Sequence, residues 1–117
     1  MQLTEITYHD ARPVDGYGPG FFRVAGQVIE GAMLITSSST RSWGGLADVA
    51  PLLALAGEID VVLLGTGAAI ALPSRDLREA IEATGMGIEP MASPAACRTF
   101  NVLLAEGRRV ALAALPV

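Results

Sequence analysis

Arg98 and Asn101 stand three residues apart on a segment with helical periodicity, so their side chains lie together beside one face and can act on one target. A guanidinium presents a planar fork to a carboxylate or phosphate, and a neighbouring amide adds a donor and an acceptor. A structural alternative stays open: Arg98 pairs with Glu106 or Glu89, and Asn101 caps a neighbouring loop. Gly65-Thr66-Gly67 follows an apolar strand, at the edge where open α/β sheets commonly place ligands. It lacks the further glycines of a dinucleotide fingerprint and the Gly-Lys-Ser/Thr of a phosphate loop, so a tight turn or a close packing contact is the favoured reading.

Cys97 lies on the apolar arc formed by Ala96, Phe100, Leu103 and Leu104. A cysteine so placed serves as a small hydrophobe, although the first turn of a helix and the adjacent Arg98 could lower its pKa. The single histidine, His9, sits beside Asp10 near the N-terminus, far in sequence from Cys97, and no triad assembles. The hydroxyl run Thr36-Ser37-Ser38-Ser39-Thr40 reads as a polar hairpin loop with some capacity for an anion. Arg108-Arg109 suits the end of a helix.

Composition narrows the function classes. All eight cationic residues are arginine, which excludes lysine Schiff-base chemistry. One cysteine and one histidine are too few for a structural zinc site or a disulfide, so no metal and no cofactor are expected. A net charge of −4 argues against nucleic acid as a partner. The apolar stretch Val61 to Pro73 is interrupted by Gly65-Thr66-Gly67 and falls short of the roughly 20 residues of a membrane span. Met1 to Ile6 carries neither a basic secretory n-region nor a transit-peptide composition, so a cytoplasmic protein is expected.

These residues need a scaffold. A chain of 117 residues fits a single domain over 1–117, and its 51% hydrophobic share is rich in alanine, which predicts thin, closely packed layers. Five of the six aromatics (Tyr8, Tyr17, Phe21, Phe22 and Trp43) fall in the first 43 residues, predicting a twisted antiparallel unit there. Gly16 to Gly20 is dense in turn formers, Phe21 to Val24 reads as strand, and Ala25-Gly26 as a reversal. Gln27 to Thr36 reads as strand with a bulge or bend at Glu30-Gly31, and Arg41 to Trp43 as a short returning strand.

From there the pattern alternates. Leu46 to Gly57 has one apolar helical face, with the regular helix beginning near Ala50-Pro51. Val61 to Leu64 is a strand buried on both faces. Ser74 caps a helix that Gly85 stops, and Ile88 to Met91 is a strand. Ser93 as N-cap and Pro94 start a last helix ending at Gly107, and Val110 to Leu115 is the closing strand. Such alternation predicts an α/β layer architecture.

Read in order, Gly16-Tyr17-Gly18-Pro19-Gly20-Phe21-Phe22-Arg23-Val24, Trp43, Gly65-Thr66-Gly67, Arg98-Thr99-Phe100-Asn101 and Glu106-Gly107-Arg108 resemble the Mth938-like family of small α/β proteins. The resemblance spans nearly the whole chain. It implies a compact three-layer domain, a mixed central sheet with flanking helices and an additional N-terminal antiparallel β unit. The family's eukaryotic relatives include a mitochondrial respiratory complex I assembly factor and an adipogenesis-associated protein, and no enzymatic reaction characterises it. The expected role is therefore a non-catalytic protein-binding or assembly module, monomeric or weakly self-associating. Its surface would lie around Tyr17, Phe21, Trp43, Arg98 and Asn101, with an unidentified protein as partner. The alternative is a small-anion-binding protein or hydrolase-like enzyme with a cleft at Gly65, Thr66 and Gly67, oriented by Arg98 and Asn101. Thr66 and Cys97 would be its only candidate nucleophiles.

Overall fold

The computed structural model describes residues 12–117, so Tyr8 and the His9-Asp10 pair lie outside the described residues. Its centre is a five-stranded mixed sheet in the order β5-β4-β8-β6-β7, formed by β4 (Met33–Ile35), β5 (Thr40–Ser42), β6 (Val61–Thr66), β7 (Gly87–Met91) and β8 (Val110–Leu115). β6 runs parallel to both β7 and β8, whereas β4 is antiparallel to β8 and to β5. The expected α/β architecture with a mixed central sheet is what the chain adopts.

Strand alternation sends side chains to two separate cores. Met33, Ile35, Leu63, Val110, Leu112 and Ala114 face one side, where they meet Ala96, Cys97, Phe100 and Leu104 of α3 (Ser93–Ala105) together with Val14, Phe22 and Val24. Leu34, Val62, Leu64, Ala111 and Ala113 face the other, against Leu52 of α1 (Ala50–Leu53), Leu77 and Ile81 of α2 (Arg75–Glu82), Trp43 and Met86. β8 is central, and its three alanines, all fully buried, are the thin layer that the alanine content predicted.

The additional β unit is a three-stranded antiparallel sheet, β1 (Val14–Gly18), β2 (Phe21–Val24) and β3 (Gln27–Glu30). Ala25 (φ 52°) and Gly26 (φ 79°) form its expected tight reversal. Asp15 braces it, its carboxylate accepting the Gly26 N–H at 2.8 Å across the register shift in β1.

Three local expectations need correction. The segment Gln27 to Thr36 is two strands in two different sheets: Gly31 (φ 78°) turns the chain and donates to the Gly20 carbonyl, so β3 stays with the small sheet while β4 joins the central one. The aromatic half is accordingly divided between both sheets. α1 begins at Ala50 with Pro51 in its first turn, but it lasts a single turn, after which tight i→i+3 bonds carry the chain to Gly57. Gly16 to Gly18 are strand, with only Pro19-Gly20 making the turn.

α2 is built as its sequence signals dictate. The Ser74 hydroxyl accepts the Leu77 N–H at 3.1 Å, Asp76 lies in the first turn, and Gly85 (φ 93°) follows the last turn. Replacing Ser74 with Ala should cost about 1 kcal/mol of stability, measurable as a lower urea midpoint with an unchanged slope. An unaltered midpoint would mean that the cap contributes nothing.

Candidate functional site

The sequence pointed to the C-terminal end of the parallel strands, where Gly65-Thr66-Gly67 meets the start of α3. The structure fills that place with its own hydrogen bonds. Ser93 is fully buried as the first residue of α3; Ala92, not the expected Ser93, occupies the N-cap position, because the Ser93 hydroxyl is engaged with the strand ends instead. Its Oγ accepts the Gly67 N–H at 2.8 Å and donates to the Leu115 carbonyl, while its own N–H donates to the Gly67 carbonyl at 2.7 Å. One residue thus joins the ends of β6 and β8 to the start of α3.

Gly65 is required by this contact. A Cβ there would stand 2.8 Å from the Ser93 Oγ and 3.0 Å from the Ala114 Cβ, both too close. The glycine therefore serves close packing and presents no backbone to a ligand. The Thr66 hydroxyl shares its proton between the carbonyls of Ala69 (2.8 Å) and Met91 (3.1 Å) and accepts the Ala71 N–H at 2.9 Å. It shapes the loop that follows.

Arg98 and Asn101 diverge in role. The Asn101 amide brackets Val14, its Oδ1 accepting the Val14 N–H at 2.8 Å and its Nδ2 donating to the Val14 carbonyl at 2.9 Å. This is the loop-capping alternative in a specific form: a side chain acting as an extra strand partner for β1. Arg98 is exposed, and among the described residues it forms no ion pair, with Glu106 and Glu89 included. Asn101 is thus turned to β1 within the fold, whereas Arg98 is on the surface.

Of the aromatic candidates, Trp43 is placed in the core, its indole N–H donating to the Asp48 carbonyl at 2.8 Å. It fills the space over Leu34 and leaves little ring for a partner. Tyr17 is 44% exposed, and Phe21 lays its ring over Gly18, where any Cβ would fall 2.5 Å from it. Arg109 pairs with Asp60 at 2.7 Å and reaches the Gly57 carbonyl at 3.3 Å, so it clasps a loop. Hydrogen bonding from Arg109 holds the Asp60 carboxyl below its ordinary range. The pair is exposed and adds little to stability.

Sequence reasoning missed the segment after Thr66. Ala68, Ala69, Ile70, Ala71 and Leu72 are all exposed, with Ile70 at 63% and Leu72 at 82%, and Pro73 is half-buried. Six consecutive apolar residues face or border solvent in a loop fixed by the Thr66 hydroxyl. Helix and strand periodicity is blind to such a run; its signal was the apolar continuation of β6 past Gly67, read only as too short to span a membrane. None of the described helices is long and apolar enough for that.

The loop has neighbours. A methyl group on Gly67 would lie 3.6 Å from the Pro116 carbonyl, and Gly20, in the turn between Tyr17 and Phe21, donates to the Val117 carbonyl at 3.1 Å. The C-terminal residues therefore connect the apolar loop to the β1–β2 turn.

Two measurements follow from the buried seam. Ser93→Ala leaves the Gly67 N–H and the Leu115 carbonyl without their partner and should cost about 2–4 kcal/mol, read from denaturant unfolding; a loss below that of Ser74→Ala would show that the hydroxyl is dispensable. Cys97 is buried, and desolvation pushes its thiol from 9.0 up to about 11 against a smaller opposing pull from Arg98. Because the folded pKa is the higher one, the contribution is complete below the unfolded value and disappears as pH rises towards 11, amounting to about 2–3 kcal/mol. Stability should therefore fall more steeply between pH 9 and 11 in the native chain than in Cys97→Ala, and native alkylation should be slow. Equal slopes would reject the buried-thiol account.

Comparison with known proteins fits this geometry. A family model described as a protein of unknown function (DUF498/DUF598) matches residues 14–115. An uncharacterised protein of Rhodobacter capsulatus is 50% identical over 117 residues, covering 100% of this chain and 94% of that protein. NADH dehydrogenase [ubiquinone] 1 alpha subcomplex assembly factor 3 of Danio rerio is 29% identical over 107 residues, 86% of this chain, which spans only 62% of the factor's length. The solution structure of a Bordetella pertussis protein, described as a Mth938-like domain, superposes with a TM-score of 0.80 at 28% identity, covering 99% of this chain and 92% of that one. With its three-stranded sheet set against a mixed five-stranded one, this chain belongs to the Mth938-like family, the family of unknown function designated DUF498/DUF598.

Proposed function

We propose that the protein is a binding module of the assembly-factor type, acting in the cytoplasm as a monomer that docks on another protein through the C-terminal end of its central sheet. The observation that carries this reading is the ordered, exposed apolar loop Ala68 to Pro73. Leaving Ile70 and Leu72 in water is unfavourable by about 25 cal/mol for each Å² of apolar surface. The Thr66 hydroxyl holds the loop in that exposed shape through Ala69 and Ala71. A preformed apolar surface loses little conformational freedom on docking.

Tyr17 and Phe21 extend the surface across Pro116 and Val117, supplying the aromatic contacts common at interfaces. Arg98, exposed on α3, lies outside this proposed surface and serves as a control position. The assembly role is taken from the relatives named as assembly factors, and the partner is a protein of complementary apolar surface. The anion-cleft alternative loses support, because the polar groups of Gly67, Thr66 and Asn101 are engaged within the fold.

Crosslinked affinity capture from the source cells tests the proposal, with the native protein compared against Leu72→Asp and against Arg98→Gln. Leu72 is a surface residue, so its substitution should leave the unfolding midpoint within about 0.5 kcal/mol. A partner retained by the native chain and by Arg98→Gln should be lost at least tenfold with Leu72→Asp. Identical capture by the native chain and Leu72→Asp would overturn the assignment of this surface.

A further inference from the structure

The register of the central sheet puts a second distinctive loop at the opposite end of the molecule. β4 is antiparallel to β8, with Ile35 beside Leu112 and Met33 beside Ala114, so Thr36 and the serines after it lie at the end where the parallel strands begin. Thr36 is buried, and its Oγ1 accepts the N–H groups of Ser38 and Ser39, both at 3.2 Å, while also contacting the Ser39 hydroxyl at 3.0 Å. Its N–H donates to the Ser39 carbonyl at 2.9 Å. The loop is thus closed on itself through Thr36 and Ser39. The hydroxyls of Ser37, Ser38 and Thr40 take no part in that network.

These hydroxyls line a concavity of about 400 Å³, shared with the guanidinium-bearing Arg12 and the amide-bearing Gln27. In a chain of net charge −4, none of the described residues lining this concavity carries a carboxylate. Glu58 borders a second concavity that shares Thr36 to Ser39 with the first. The concavity beside Arg12 has a cation and several neutral donors, which is the donor chemistry of an oxyanion site.

We propose that Arg12, Gln27, Ser37, Ser38 and Thr40 form a binding site for a phosphoryl group, borne either by free phosphate or by a small phosphomonoester. A tetrahedral oxyanion offers acceptor oxygens in several directions, as a site with donors from three chain segments requires. A planar carboxylate would be matched by the arginine alone. The rigid Thr36 loop holds its hydroxyls in place before the anion arrives, which limits the entropy lost on binding. The site is independent of the apolar loop, since the two lie at opposite ends of the central sheet.

The test is a titration of the full, isotopically labelled chain followed by amide NMR shifts, using inorganic phosphate, glycerol phosphate and acetate, each at constant ionic strength maintained with chloride. Saturable shifts confined to Arg12, Gln27 and Ser37 to Thr40 are expected with the phosphoryl ligands. The affinity should drop about tenfold in Arg12→Gln, as the loss of a charge-assisted contact implies, and remain unchanged in Arg98→Gln. Tighter binding of glycerol phosphate would identify a phosphomonoester as the ligand, and equal affinities would identify free phosphate; both support the site. Linear shifts that do not saturate, shifts spread over the other arginines, equal binding by Arg12→Gln, or a stronger response to acetate would each overturn it. Arg12 and the serine hydroxyls are on the surface, so the variants fold. Ser38→Ala gives a second, uncharged probe, expected to weaken binding with no change in the unfolding midpoint.

Discussion

The buried hydroxyl of Ser93 is the contact on which the rest of the arrangement depends. It has one proton to donate and directs it to the end of β8, and it accepts from the amide just past β6. Both neighbouring strand ends are thereby held against the first turn of α3. Gly65 leaves room for the hydroxyl, and the alanine opposite, Ala114, leaves room for the glycine. Once α3 is fixed at its start, its length carries Asn101 to Val14, where the amide substitutes for a missing strand neighbour. The small sheet is then attached through Val14, Phe22 and Val24 to the same core. A chain of short-range contacts, each demanding a particular small or polar side chain, sets the relation between the two sheets.

Small side chains make this possible and also limit it. Ala96, Ala111, Ala113 and Ala114 bring helix and sheet close on both faces of β8, so the layers have little volume to accommodate a buried ligand. Trp43 is the one large group on the α1–α2 side that combines apolar bulk with a polar need, and the Asp48 carbonyl meets that need. With the layers packed this closely, the proposed contacts fall at the ends of the sheet.

Much of this was legible in the residues, for reasons that differ by element. α2 was readable because its signals are local: a serine cap, an acid in the first turn and a glycine at the stop. The buried strands β6 and β8 were readable because continuous apolar runs of that length have few other uses. The division of Gln27 to Thr36 was hidden because a single glycine, Gly31, can mark either a bulge in one strand or a passage between two sheets, and only long-range pairing decides. Ser93 looked like a cap because serine before proline usually is one; its true partners lie more than twenty residues away at the ends of β6 and β8. Arg98 and Asn101 share a helix face, yet adjacency on a helix does not reveal that one amide belongs to β1. The apolar loop escaped because exposure is a tertiary property that periodicity does not encode.

The two rims follow one design. At the end of β6 Thr66, and at the end of β4 Thr36, each turns its hydroxyl back on the loop that follows, accepting backbone N–H groups two to five residues ahead. In the first case the loop so held exposes Ile70 and Leu72; in the second it exposes serine hydroxyls beside Arg12. A loop without such a brace would hide apolar side chains by collapsing and would average its hydroxyls over many directions. A threonine at a strand end therefore converts the rigidity of the sheet into a fixed surface chemistry, apolar at one end and donor-rich at the other. The apolar end adjoins the Ser93 seam, where Gly67 donates to the Ser93 hydroxyl directly after Thr66, whereas the donor-rich end lies at the far end of the sheet from that seam.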